Sequence, residues 1–194
     1  MNKTRLEAFS DGVLAIIITI MVLELKVPQG HAWKDLAVLL PKFFSYFLSF
    51  LYIGIYWGNH HHLLHTATRV TSGIMLANLN LLFWLSLIPF TTAWMGESHF
   101  EQQPVALYSS NLLFAGTAYF ILQKAIEKTT LPHDKMTKAL YNLRRKGIVS
   151  QIFYALSIPL AFVSPIASVS ISFIFAIIWL IPDKGIEKAL HEMN

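Results

Sequence analysis

Apolar runs of about 20 residues, separated by short polar connections, constrain this chain more than any other feature of its sequence. An α-helix rises 1.5 Å per residue, so about 20 residues cross the ~30 Å hydrocarbon core of a bilayer. A backbone in hydrocarbon must satisfy its own polar groups, and a helix does so within one segment. The runs predict transmembrane helices at about residues 5–25, 36–59, 71–94, 105–124, 147–163 and 165–181. The expected fold is therefore all-α, a single polytopic membrane domain of six transmembrane helices over residues 1–194. A hydrophobic content of 55% against 13% charged residues agrees, since soluble domains carry about 25% charged. Only Ser164-Pro165 separates the last two runs, which predicts a tight helical hairpin. Pro28, Gly30 and Pro104 mark connections, whereas Pro41, Pro89 and Pro159 fall inside apolar runs, where neighbouring helices absorb a kink.

Orientation follows from where lysine and arginine fall. One side collects Lys3, Arg5, Arg69, Lys124, Lys128, Lys135, Lys138, Arg144, Arg145, Lys146, Lys184 and Lys188, and the other only Lys26, Lys34 and Lys42. The alternation predicts both termini on the cytoplasmic side and an even number of spans. Trp33, Trp94 and Trp179 sit near predicted span ends, where indole rings favour the interface. The net charge of +4 resides in loops, so no basic face for nucleic acid is expected. A cleaved signal peptide is not expected either, because Glu7 and Asp11 interrupt the basic leader and no small-x-small site follows Leu23. The chain has no cysteine, which excludes disulfides and thiolate metal sites. The stretch from Glu127 to Lys146 reads as a short cytoplasmic amphipathic connection.

The first span is the most informative. Twelve uncharged residues lie between Asp11 and Glu24, about 18 Å of helix, too short for the hydrocarbon core unless Arg5, Glu7 or Asp11 lies within protein at its edge. Ionisable groups there face other helices or water, and Asp11 is too short to reach the headgroups. The second span ends on the same side with Trp57, Asn59, His60, His61, His62 and His65, and the third begins there with Asn78 and Asn80 about two turns in. A buried network joining Ser10 and Asp11 to these groups is the expectation. His61 and His65, at i and i+4, could face one Zn²⁺, but no carboxylate lies nearby in the run, and no metal site is assigned. A pH-sensitive role suits the imidazoles better.

No Gly-x-Ser-x-Gly, His-Glu-x-x-His, phosphate-binding loop or intramembrane carboxylate pair is present, so catalysis is not expected, and no cofactor is implied. A Thr-Val-Gly-Tyr-Gly potassium filter is also absent. Ile16, Thr19, Ile20 and Leu23 share one face of the first helix. By spacing alone such a stripe faces lipid or packs against protein more often than it lines a pore.

The string Arg5-Leu6-Glu7-Ala8-Phe9-Ser10-Asp11 matches an Arg-x-x-x-Phe-Ser-Asp signature, and Trp57-Gly58-Asn59-His60-His61, Asn80-Leu81-Leu82 and Ser86-Leu87-Ile88-Pro89-Phe90 continue the likeness. On these motifs the chain resembles the endosomal and lysosomal potassium-channel family that lacks the Thr-Val-Gly-Tyr-Gly filter, as a prokaryotic single-repeat member. The resemblance implies a potassium-preferring cation channel whose first helices line the pore. Animal members look like two six-helix repeats per chain, so a chain with one repeat would form a homotetramer in the lipid bilayer of a prokaryotic plasma membrane. It would take monovalent cations, with K⁺ the permeant ion. By position, Ile16 matches the hydrophobic constriction, Thr19 a polar ring, and Leu23 a further apolar layer, with Ile20 between them. Arg5, Phe9, Ser10 and Asp11 would anchor this helix through Trp57, His60, His61 and Asn78 or Asn80. The alternative is a proton-coupled secondary transporter or a proton-conducting membrane protein; a transporter predicts inverted repeats and a midplane site, which the sequence does not display. A scaffold or enzyme holding a metal on His60, His61 and His65 is the third reading.

Overall fold

In the computed structural model, which describes residues 2–130 and 134–181, the described residues form eight helices and no strand. They are α1 (Lys3–Leu23), α2 (Trp33–Ala37), α3 (Leu40–His65), α4 (Ser72–Ser86), α5 (Ile88–Glu97), α6 (Gln102–Glu127), α7 (Asp134–Ala161) and α8 (Pro165–Leu180). The fold is all-α. Lys184 and Lys188 lie outside the described residues, as does the side chain of Lys135.

Local chemistry sets the helix starts. Asn2, Thr71 and Ser164 cap α1, α4 and α8, each side-chain oxygen accepting from a backbone N–H in the first turn. Pro41, Pro89 and Pro165 occupy the first positions of α3, α5 and α8, where a missing N–H removes no intrahelical bond. Pro41 therefore begins a helix rather than kinking one, and the run from residue 36 divides into the short α2 and the long α3. Pro89 does the same in the third run. It cannot donate to the Leu85 carbonyl, so the chain breaks at Leu87, which closes α4 and opens α5. Pro104 lies inside the first turn of α6 rather than in the preceding connection, and Pro159 stays within α7.

The largest departure from the sequence reading lies between α6 and α7. The connection from Glu127 to Lys146 is mostly helix, because α7 begins at Asp134 and runs unbroken for 28 residues. Ala139, Leu140 and Leu143 are buried among the surrounding charges, and Gln123 of α6 donates to the Leu140 carbonyl at 3.0 Å. The amphipathic character expected of this stretch is present, with apolar residues one turn apart, but it belongs to an extension of the next long helix and not to a separate short connection.

Counting α4 and α5 as one bent pass, the chain traverses the bundle six times in alternating directions. At one end Lys3 Nζ donates to the His65 carbonyl at 3.0 Å, Thr130 bonds Thr66, and Lys146 lies 4.5 Å from the centre of the Trp179 ring. At the other end Lys42 pairs with Glu97 at 2.9 Å. By length and composition α1, the α4–α5 pass and α6 are each apolar enough to cross a membrane, and α8 is a shorter apolar helix. The long helices α3 and α7 carry polar ends that dilute their apolar share.

Between apolar helices in lipid, close approach and hydrogen bonds supply the specificity that the hydrophobic effect supplies in water. Ser49 of α3 bonds Thr92 of α5 at 2.6 Å and Tyr108 of α6 at 3.0 Å. Tyr52 bonds Tyr154 of α7 at 3.0 Å and donates to the Ser172 carbonyl of α8 at 2.7 Å. Gly96 lets α5 approach α3, since a Cβ there would lie 2.8 Å from Lys42 Cα. Beyond it the α5–α6 connection reverses through His99 and Phe100, both left-handed at φ 55° and 64°. The Phe100 N–H returns to the Met95 carbonyl at 3.0 Å, so the turn is held by the helix that it leaves.

Candidate functional site

Helix α1 has two distinct faces. Leu6, Ser10, Leu14, Ile17 and Met21 recur at helical spacing and are buried, turned toward α3, α4 and α5. The other face carries Phe9, Ile16, Thr19, Ile20 and Leu23, all exposed in the single chain, with Ile16 at 60% and Leu23 at 70%. An apolar stripe left uncovered along a helix whose opposite face is fully packed calls for lipid, another helix or a dewetted passage.

Thr19 is the polar member of that stripe. Its Oγ1 donates to the Ala15 carbonyl at 2.9 Å, so the hydroxyl proton is engaged and the oxygen turns lone pairs outward. Such an oxygen suits a cation rather than an anion. Glu24 caps the same helix and is exposed, and with the carbonyls of the last turn it makes that end electronegative.

Toward the other end, the buried face carries a chain of polar groups. His60 Nε2 lies 2.6 Å from Asn78 Oδ1, Asn78 Nδ2 donates to Ser10 Oγ at 3.0 Å, and Ser10 Oγ donates to the Leu6 carbonyl at 2.9 Å. An amide oxygen only accepts, so His60 carries its proton on Nε2. All three side chains are buried, and together they join α3, α4 and α1. Beside them, at the surface, Trp57 Nε1 donates to Asp11 Oδ1 at 3.0 Å. His61 stacks on the Trp57 ring and meets the His65 ring edge-on at 4.5 Å.

The structure thus brings together Ser10, His60 and Asn78 in one group, and Asp11, Trp57 and His61 in a second. Arg5 and Phe9 are not part of either. Both are exposed on the face of α1 that turns away from α3 and α4, and Arg5 makes no hydrogen bond or ion pair among the described residues. Asn80 is half-buried and makes no hydrogen bond among the described residues, because two residues past Asn78 is a rotation of about 200° around α4. Among the described residues no three histidine, aspartate or glutamate side chains converge on a metal position.

Two features escaped the sequence reading. Lys3 caps the end of α3, a role hidden behind its part in the charge count. A cavity of about 360 Å³ opens among α3, α6, α7 and α8, lined by Tyr56, Asn59, Gln123, Arg144 and Gln151. Only the polar residues inside otherwise apolar runs, Gln123 and Gln151, hinted at it.

Comparison with known proteins adds a further line. Residues 5–89 match the family described as the endosomal/lysosomal potassium channel TMEM175. A potassium channel of Chryseobacterium sp. (strain P1-3) is 52% identical over 99% of this chain and 100% of its own length. The endosomal/lysosomal proton channel TMEM175 of Gallus gallus is 31% identical over 71% of this chain and 30% of its own length. The crystal structure of a lysosomal potassium-selective channel TMEM175 homolog from Chamaesiphon minutus superposes with a TM-score of 0.81 at 26% identity, over 92% of this chain and 96% of that one.

Proposed function

The chain belongs to the endosomal/lysosomal potassium channel TMEM175 family, and from that membership we propose that it is the subunit of a potassium-preferring cation channel. The family is one of ion channels, not enzymes, and the chain is an integral membrane protein. The six passes are read as six membrane spans with both termini cytoplasmic, in a prokaryotic plasma membrane. The single observation that carries the mechanism is the uncovered stripe of α1. Four copies of this chain gather about a common axis, with Ile16, Thr19, Ile20 and Leu23 facing inward.

In that assembly Ile16 forms an apolar ring that empties of water when narrow and conducts K⁺ when helix movement widens it. Thr19 offers oxygens that replace part of a cation's hydration, and Glu24 enriches cations at the mouth. The chain from His60 through Asn78 to Ser10, and the bond from Trp57 to Asp11, fix the rotation of α1 so that the stripe points to the axis. No cofactor enters the mechanism. Purified protein in liposomes tests it: non-saturating K⁺ flux without ion coupling supports the channel, and strict coupling to protons refutes it.

The second reading, proton conduction, is favoured by the animal relatives named proton channels and by the polar chain ending in an imidazole. A pH gradient that dissipates at matched K⁺ distinguishes it.

A further inference from the structure

We propose that the groove between α7 and α8 binds an anionic phospholipid, its headgroup at Arg145 and its acyl chains along the groove. The proposal rests on the reading that these helices span a bilayer. The groove holds about 580 Å³ and is lined on both walls by apolar side chains, Val149 and Phe153 from α7 and Ile171, Ile174 and Ile178 from α8. Its polar lining is confined to Asn142, Arg145 and Lys146. These three precede Phe153 by about two turns or more, so the groove is basic at one end and apolar along the rest, the polarity profile of a phospholipid in one leaflet.

The basic end lies at the level where a headgroup would sit. Trp179, whose indole Nε1 donates to Ser150 at 2.8 Å, lies beneath Lys146 with its ring centre 4.5 Å from the ammonium. The same ammonium donates to the Ile181 carbonyl, where α8 has ended. An indole beside a lysine at the end of an apolar helix marks the level of the membrane interface. Arg145 is exposed and makes no hydrogen bond or ion pair among the described residues. Its neighbour Arg144 points to the separate cavity on the other side of α7 and already lies 3.7 Å from Glu127. Arg145 is therefore the charge left to meet a phosphate.

Position in the fold favours lipid over a second copy of this chain. Helix α1, the proposed axial element, packs on α3, α4 and α5, whereas α7 and α8 pack on each other and on α6 and α3. A subunit arranged around α1 carries the α7–α8 groove away from the axis, toward the bilayer.

Native mass spectrometry of the full chain in detergent tests the proposal, with phosphatidylglycerol and phosphatidylcholine of identical acyl chains as probes. The wild type is expected to retain phosphatidylglycerol at least about fivefold better, the weight of one basic residue near an anionic headgroup. Arg145→Gln should bring the ratio close to one. Ile174→Trp or Ile178→Trp, each filling the groove at an exposed position, should lower retention of both lipids. Equal retention by the wild type, or an unchanged ratio in Arg145→Gln, overturns the headgroup site. Undiminished retention in both tryptophan variants overturns the groove. Lipid retention requires no ion flux, so a chain that binds phosphatidylglycerol yet passes no K⁺ rejects the channel reading and keeps this one.

Discussion

His60 Nε2 and Asn78 Oδ1 lie 2.6 Å apart at the buried junction of α3 and α4, and the same carboxamide reaches Ser10 on α1. One amide therefore ties three helices through both of its polar atoms. Replacing it by Asn78→Ala strands the imidazole N–H with no partner in an apolar setting. Such an orphan costs about 1–3 kcal/mol. Thermal unfolding in detergent should show that loss, and an unchanged midpoint would mean that the junction is held by apolar packing alone.

Ile16 is 60% exposed on the free face of α1, a position at which a polar side chain need not disturb the fold. Ile16→Asn should hydrate the proposed apolar ring and raise K⁺ leak in liposomes. A barrier lowered by ~1.4 kcal/mol corresponds to about tenfold. Wild-type flux from the well-folded variant would remove Ile16 from the ion path.

The Trp57–Asp11 bond lies at the surface, so it contributes less to folding than the buried chain beside it. Trp57→Phe should lower stability by about 1 kcal/mol or less while disturbing the setting of α1. Asp11→Ala should reduce the assembled species on size exclusion with light scattering. An intact assembly with altered conductance would instead place Asp11 on the conduction path.

Gly96 sits where α5 touches α3, and an added methyl would meet both the Lys42 backbone and Ser45 Oγ. Gly96→Ala should destabilise by about 1–3 kcal/mol, the usual cost of overfilling a tight contact. Gly54 of α3 offers the control, because a Cβ there meets nothing within 4 Å. If the two alanine variants melt alike, the close approach is not what holds the two helices.

Glu97 lies beyond Trp94 at the far end of α5, and the hydrogen bond and charge of Lys42 hold its carboxyl below the ordinary value of 4.5. A lowered acid favours the folded state above its unfolded value, and the advantage disappears as pH falls through the folded one. Glu97 is half exposed, so the contribution stays under about 1 kcal/mol and shrinks with salt. Lys42→Gln should remove that part of the acid dependence. Identical acid unfolding of the two proteins at low salt would discard the pair as a stabilising element.

Much of the helical plan was legible because apolar run length reports directly on what a helix must bury or expose. That Ser10 meets Asn78 followed from antiparallel passes bringing polar residues to one depth, but the choice between Asn78 and Asn80 needed the rotation of α4, which residue counting from an uncertain start does not supply. The break at Leu87 was hidden because a proline inside an apolar run reads equally as a kink or as a new beginning. The early start of α7 was hidden for another reason. The stretch reads as amphipathic, but Ala139, Leu140 and Leu143 form too narrow a stripe to tell a short connection from the first turns of the next long helix until α6 is seen beneath them.

The joint at Leu87 divides one pass into two levers. Helix α4 grips α1 through Asn78, while α5 grips α3 through Thr92 and, by Glu97, through Lys42. The bend therefore lets one pass present Asn78 to α1 on one side of Leu87 and Thr92 and Glu97 to α3 on the other, a change of partner that a straight helix with a single facing stripe would not provide.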